Sequence, residues 1–283
     1  MSQRSVVLLG GPDSGKTNYV GRLWPALDGK TGALVSVGQP DDIRFVLETA
    51  EHLFQGHFAP RTEFADGRRD FEIAVATPSG DAQADILIPD IRGELWHNAV
   101  LNSEISSEWM EELKGSDGAL LFVRVNSDLN VRPLDWVASR KLLQRTGNAE
   151  DQKKLPTQVM LCELTRFLEL TLKARPDGST PRVSVVVAAW DAVDSGIFAA
   201  GPEAYLNREY PMFAGRLADT QLLDVRVFGL SVVGGDLTAD PDYRAKFLEA
   251  GLDGRGWIAV PDAGGTWSKN PDLTLPVAWV VGI

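Results

Sequence analysis

The chain has 283 residues, 44% of them hydrophobic and 24% charged, and 28 Lys and Arg against 39 Asp and Glu leave a formal net charge of −11. Those fractions exclude a disordered or collagen-like chain, and the length allows a large core without covalent staples. The acid excess argues against bulk electrostatic binding to nucleic acid or an anionic membrane, although a local basic pocket can still hold a small anion.

One cysteine, Cys162, excludes an internal disulfide and a cysteine-built zinc cage. It falls in an apolar helical pattern, as a buried structural thiol does. His52, His57 and His97 have no metal-ligand spacing. No apolar run approaches the ~20 residues that span a bilayer. Met1-Ser2-Gln3-Arg4 leads into only a short apolar run before Gly10, so no secretory leader and a reducing cytoplasm are expected.

Ser5–Leu9 is an apolar run ending in Gly10-Gly11, which predicts a strand buried on both faces, and Gly15–Leu27 follows as a helix. Asp41–Phe54 has apolar residues at helical spacing, with Asp41 or Asp42 as cap. Phe71–Ala76 and Ala84–Pro89, separated by Thr77-Pro78-Ser79-Gly80-Asp81, predict a hairpin. Ser106–Lys114 reads as a helix, Gly118–Val125 as a third buried strand, and 127–155 as a polar insertion. Thr157–Ala174 is the clearest amphipathic helix, with Val159, Leu161, Leu164, Phe167, Leu168 and Leu170 on its apolar face.

Arg182–Ala189 predicts another strand, Pro202–Leu217 a helix and Val225–Leu230 the last strand. Residues 232–283 form an expected loop-rich extension, ending in Leu275–Val281, an apolar stretch whose type the pattern leaves open. Trp257, Trp267 and Trp279 are placed to pack that extension onto the sheet, while Trp96 and Trp109 are core or partner-contact candidates. The alternation predicts a single three-layer α/β domain over 1–283, its central sheet mostly parallel with one antiparallel hairpin strand.

Gly10-Gly11-Pro12-Asp13-Ser14-Gly15-Lys16-Thr17 fits G-x-x-x-x-G-K-[ST] between a strand and a helix. A polyphosphate needs many donors in a small concave space, and a glycine-containing turn lets backbone N–H groups converge there beside the positive end of a helix dipole. Candidate phosphate-side residues are therefore Gly10, Pro12, Asp13, Ser14, Gly15, Lys16, Thr17 and Asn18, with Lys16 reaching the β- and γ-phosphates and the Thr17 hydroxyl ligating Mg²⁺. This signal does not choose between ATP and GTP. Downstream, Asp90 ends a strand where a Mg²⁺-side carboxylate belongs, and Gly93 offers an unobstructed N–H to a γ-phosphate; read without the phosphate loop, they are a strand-end Asp and a turn Gly. A loop held by that bond relaxes when the phosphate leaves.

A strand, a Lys-Thr phosphate loop, a two-stranded hairpin and then D-x-x-G resembles the translation-factor and Ras-like class of P-loop GTPases. The resemblance implies a threonine ahead of the second strand that closes over Mg²⁺ and the γ-phosphate, and Thr62 is the candidate; read alone, it is equally a polar loop residue. Arg61 beside it could reach the transferring phosphoryl. Glu94 departs from the family's glutamine after D-x-x-G. A carboxylate there is repelled by the γ-phosphate unless Mg²⁺ or an arginine offsets the charge, and cannot donate a hydrogen bond unless protonated, so slow hydrolysis is expected.

The family also carries [NT]-K-x-D, whose Asp accepts two hydrogen bonds from guanine. Here the strand runs into Ala188-Ala189-Trp190-Asp191. Asp191 falls at the Asp position, with helix N-cap as its other reading, and Trp190 could stack where the missing lysine stem would. Ser231, in Gly229-Leu230-Ser231-Val232, resembles a segment that contacts guanine through its backbone. Segment order, D-I-R-G-E and the A-W-D ending are similar to bacterial double-GTPase type domains of multi-component systems. The resemblance implies a Mg²⁺-dependent GTP switch read by a protein partner, without nucleic acid. An ATPase of the same fold, a nucleotide-holding module without turnover and a small-molecule kinase remain open.

Overall fold

A computed structural model describes residues 3–40, 43–59, 70–88, 99–100, 104–132, 155–251 and 255–282. Among these residues the strands form one nine-stranded sheet, in the order β2-β3-β4-β1-β5-β6-β7-β8-β9. They are β1 (Gln3–Leu9), β2 (Val35–Ser36), β3 (Phe71–Ala76), β4 (Gln83–Ile88), β5 (Gly118–Arg124), β6 (Arg182–Ala188), β7 (Asp224–Ser231), β8 (Trp257–Pro261) and β9 (Trp267–Asn270). The centre, β4-β1-β5-β6-β7, is parallel. Both flanks, β2-β3-β4 and β7-β8-β9, are antiparallel.

The expected sheet, mostly parallel with one antiparallel strand, is therefore corrected to a mixed one. The Gly- and Asp-rich stretch that read as loop carries turn chemistry. Asp262 follows β8, its carboxylate accepts from the N–H groups of Gly264 and Thr266, and the chain returns as β9. Short strands joined by such turns leave too little alternation to register as strands.

Side chains alternate across the sheet as the pleat requires. Val6 and Leu8 of β1, Leu120 and Phe122 of β5, and Val186 of β6 enter one core layer. Val7, Leu9, Leu121, Val123, Val185 and Val187 enter the other. The first layer is covered by α1 (Lys16–Asp28), α2 (Ile43–Phe54) and, from the far end of the chain, α9 (Leu275–Val281). The second is covered by α3 (Ser107–Gly115), α4 (Thr157–Thr171), α6 (Pro202–Glu209) and α7 (Pro211–Asp219). Two further helices, α5 (Ser195–Ala200) and α8 (Pro241–Ala250), flank the β6 and β7 exits.

Three helix expectations change. Pro202–Leu217 is two helices, because Pro211 has no N–H and pushes Tyr210 out of the helical region, to φ −133. The apolar stretch Leu275–Val281 is a helix, and it places Val277, Val280 and Val281 in the core. Its last carbonyls accept from Arg182 (Trp279 O, 2.9 Å) and Arg175 (Val280 O, 2.9 Å), cations suited to a helix C-terminus. On α4, Leu170 is exposed and Met160 takes the buried position instead. Ser106 caps α3 by accepting from Trp109 N, and Trp109 packs partly buried against the second layer. Trp257, Trp267 and Trp279 do anchor the extension, the first two in the second layer and Trp279 in the first.

Further ties bind the extension to the phosphate-side helix. Tyr19 of α1 is fully buried, and its hydroxyl donates to Leu273 O at 3.0 Å. Burial, with the Asp272 carboxylate adding to it, pushes its phenol well above the usual range. The same Asp272 accepts from Ala33 N, and Thr274 Oγ1 accepts from Leu34 N.

Trp190, just past β6, is wholly buried and edge-on to Tyr205 at 5.4 Å. Gly229 of β7 lies beneath the indole, where a Cβ would come within 2.6 Å of Trp190 Cδ1. Gly229→Ala is expected to destabilise the fold by about 1–3 kcal/mol through overpacking. Urea unfolding checks this, with an unchanged midpoint as the contrary result.

Candidate nucleotide site

Parallel register brings the site together. β1 ends at Leu9 beside Leu121 of β5, Arg124 of β5 pairs with Ala188 of β6, and Ala188 pairs with Leu230 of β7. The loops leaving β1, β5, β6 and β7 therefore emerge at one edge, where open parallel sheets bind ligands.

The loop after β1 is shaped by contacts no other residue type allows. Gly10 has φ +141, and a Cβ on it would lie 2.7 Å from Phe122 O and 2.8 Å from Ser14 Oγ. Asp13 at φ 60 and Gly15 at φ 96 turn the chain into α1. Gly15 is the N-cap and supplies no capping side chain, so the first-turn amides of this 13-residue helix face the loop's concavity. The Lys16 ammonium donates to Gly10 O (2.8 Å), Gly11 O (3.0 Å) and Ser14 Oγ (3.1 Å). These three acceptors are neutral, and an anionic phosphate oxygen is a stronger acceptor than any of them. Loop and lysine thus fit a polyphosphate. Pro12 is half-buried in the loop, and Thr17 is half-buried in the first turn of α1.

A cavity of about 320 Å³ opens beside the loop. Gly15 and Asn18 form its phosphate-side edge, Asp191 and Ala189 a second, and Val232, Val233 and Asp236 a third. The chain leaves β5 and β6 through two non-glycine residues in the left-handed region, Asn126 (φ 51) and Ala189 (φ 56). Each costs roughly 1 kcal/mol, the kind of strain that clusters at binding sites.

Asp191 lies inside the short turn Trp190–Ala192 and lines the cavity. It does not cap a helix: α5 is capped by Asp194, whose Oδ1 accepts from Ile197 N at 2.8 Å. Trp190 is corrected. With its ring fully buried against Tyr205, it offers no face to a ligand, and its Nε1 has no hydrogen-bond partner among the described residues. Ser231 is also fully buried, and its hydroxyl accepts from Gly234 N at 2.8 Å, fixing the turn that presents Val232 and Val233. Asn18 Oδ1 accepts from Ala59 N at 2.9 Å, which ties α1 to the segment leading into 60–69.

Arg61, Thr62, Asp90, Gly93 and Glu94 lie outside the described residues. Sequence reasoning missed Phe58, Arg124 and Asn126, all of which line the cavity. The available signal was Arg124, the one charge closing the otherwise apolar strand GALLFVR. Cys162 is half-buried, and burial pushes its thiol up, as suits an inert structural cysteine.

A strand, a glycine-built anion loop, a helix and an adjoining cavity at the parallel edge define a P-loop nucleotide-binding domain. A family model described as Double-GTPase 1 matches residues 7–280. The chain belongs to that family, one of P-loop GTPases. Among proteins of curated function, none matches its sequence.

Three solved structures are similar at a distance. The bacterial selenocysteine-specific elongation factor EF-Sec aligns with 88% of this chain at 14% identity and a TM-score of 0.37, over 29% of its own length. The signal recognition particle receptor SRb-GTP/SRX complex from Chaetomium thermophilum aligns with 87% of this chain and 98% of its own, at 15% identity and 0.38. Roco2 RocCORdC bound to GDP, from Methanosarcina barkeri, aligns with 88% and 49%, at 13% and 0.34. This chain therefore spans under a third of the elongation factor's length, and these likenesses assign nothing to its residues. Among the described residues, no helix is long and apolar enough to cross a membrane.

Gly10→Ala is expected to leave a folded protein with GTP affinity lowered at least about tenfold. The positive-φ strain and the Phe122 contact force the loop open. Calorimetric titration checks this, and undiminished affinity is the contrary result.

Proposed function

We propose that the protein binds GTP with Mg²⁺, hydrolyses it slowly to GDP and phosphate, and acts as a nucleotide-controlled switch in a multi-component bacterial system. The observation that carries this reading is the continuity of the two half-sites: Gly15 and Asn18 belong both to the phosphate loop's end and to the cavity lined by Asp191. A triphosphate laid on the loop would put its base in that cavity.

Loop amides and Lys16 would hold the phosphates, and the Asp191 carboxylate would accept from N1–H and the 2-amino group of guanine, donors that adenine lacks in that arrangement. Thr17, Thr62 and Asp90 would hold Mg²⁺, which when bound offsets charge on the β- and γ-oxygens. Gly93 N–H would sense the γ-phosphate, and Arg61 would reach the transferring phosphoryl. Water attacks the γ-phosphorus in line, the bond to the β–γ bridging oxygen breaks, the pair leaves on GDP, and the water's protons stay on the released phosphate. Glu94 can accept a hydrogen bond from that water but gives no donor to the departing charge, and its own charge opposes the γ-phosphate. A cytoplasmic protein partner would read the segments that hold Thr62 and Gly93.

Asp191→Asn is expected to weaken GTP binding roughly 100-fold and to favour xanthosine triphosphate, whose 2-oxo group accepts where guanine donates. Equal binding of GTP and ATP by the wild type would instead indicate an ATPase. Under single-turnover conditions, wild-type phosphate release is expected to be slow and to depend on Lys16. Glu94→Gln is expected to speed it by about tenfold. No release from either protein would leave a nucleotide-holding module.

A further inference from the structure

The cavity beside Asp191 is walled by strand ends that bring short side chains to it. β6 contributes Ala188 and leads into Ala189, while β7 leads into Val232 and Val233. Trp190 is turned into the core and supplies nothing. The long side chain that a strand end does bring is Arg124, at the close of β5. Arg124 also lines a second cavity of about 70 Å³, beside Gly11 and Pro12 of the phosphate loop. It therefore stands between the loop and the base cavity.

Its guanidinium is engaged. Arg124 Nη1 donates to Asp13 Oδ1 at 2.5 Å and to Asp13 O at 3.4 Å. Asp13 carries the only negative charge within the loop 10–17. An unpaired carboxylate there would repel the polyphosphate that the loop's amides and Lys16 attract. Both side chains are about one-third exposed, at 36% and 35%, so the pair is reachable by a ligand and not sealed in the core.

We propose that Arg124 joins the two halves of the nucleotide site. Its guanidinium neutralises Asp13, so that the loop accepts a triphosphate, and its stem forms the wall against the base that Ala188 and Ala189 leave low. Arg124 is thus a positioning residue for the phosphates and a contact residue for the base. The inference rests on the guanine-nucleotide reading above and adds a residue from a different strand to it.

The test is equilibrium binding of Mg²⁺-GTP and of guanosine to the full chain, with melting temperatures recorded alongside. Arg124→Met keeps an apolar stem and removes the charge. It is expected to hold guanosine within about twofold of the wild type while weakening GTP about tenfold or more, a gap that added salt narrows. Asp13→Asn placed in the Arg124→Met background is expected to restore GTP affinity to within about threefold of the wild type, since it removes the charge left uncompensated. Arg124→Ala is expected to weaken guanosine as well, by about threefold to tenfold.

A GTP loss in Arg124→Met that Asp13→Asn does not restore, or no loss at all, overturns the neutralising role. Guanosine binding indifferent to Arg124→Ala overturns the wall. A wild type that binds GTP through Lys16 while ignoring Arg124 sinks this inference alone. A wild type that binds no guanine nucleotide sinks the functional reading beneath it.

Discussion

The organising constraint is the convergence of backbone dipoles around the Lys16 ammonium. Three neutral acceptors, Gly10 O, Gly11 O and Ser14 Oγ, hold the ammonium inside the turn. Such a turn closes only if Gly10 passes against the Phe122 carbonyl of the neighbouring strand without a side chain. Loop geometry is therefore inseparable from the β1–β5 pairing, and that pairing is fixed by the pleat, which sends Val7 and Leu9 to one layer and Val6 and Leu8 to the other. A one-residue slip would move every one of these side chains to the wrong face and carry the loop away from Phe122.

The C-terminal extension is part of that frame. α9 fills the first core layer over β1, β5 and β6, the strands that carry the site. Arginines from the β6 side satisfy its last carbonyls. Leu273 accepts from Tyr19 of the phosphate-side helix, and Asp272 and Thr274 hold the backbone at Ala33 and Leu34. A second contact runs from α8. Arg244 Nε donates to Gly56 O at 2.9 Å, and Leu53 and Phe247 share a small apolar cluster with Phe58 packed on it. The extension thus bears on α1 and on the segment leading to 60–69, both of which face the cavity.

The base side shows a division of labour between neighbouring strand ends. Trp190 is committed to stability, since its indole packs on Gly229 and against Tyr205. The residues on either side of it, Ala189 and Asp191, remain at the cavity. A left-handed Ala189 makes this possible, because reversing the chain there sends one side chain inward and the next outward. What a tryptophan could have offered a ligand by stacking is given up to the core, and an arginine from β5 stands at the opening instead.

Local rules sufficed wherever one segment carries its own physical signal. Glycine spacing with Lys16 and Thr17 marks an anion loop, the apolar runs of β1, β5 and β6 mark buried strands, and Ser106 marks the start of a helix, because amide convergence, burial and capping each act over a few residues. Arrangements set by partners far apart in the chain were not legible. The β3–β4 hairpin was legible from its turn, whereas the places of β2, β8 and β9 depend on which edge each short strand meets. The place of α9 depends on a vacant sheet face, and the fate of Trp190 on a glycine 39 positions downstream. The pairing of Arg124 with Asp13 depends on strand register across 111 residues. Composition and periodicity report how a residue prefers to be solvated; only the folded sheet decides which distant residue does the solvating.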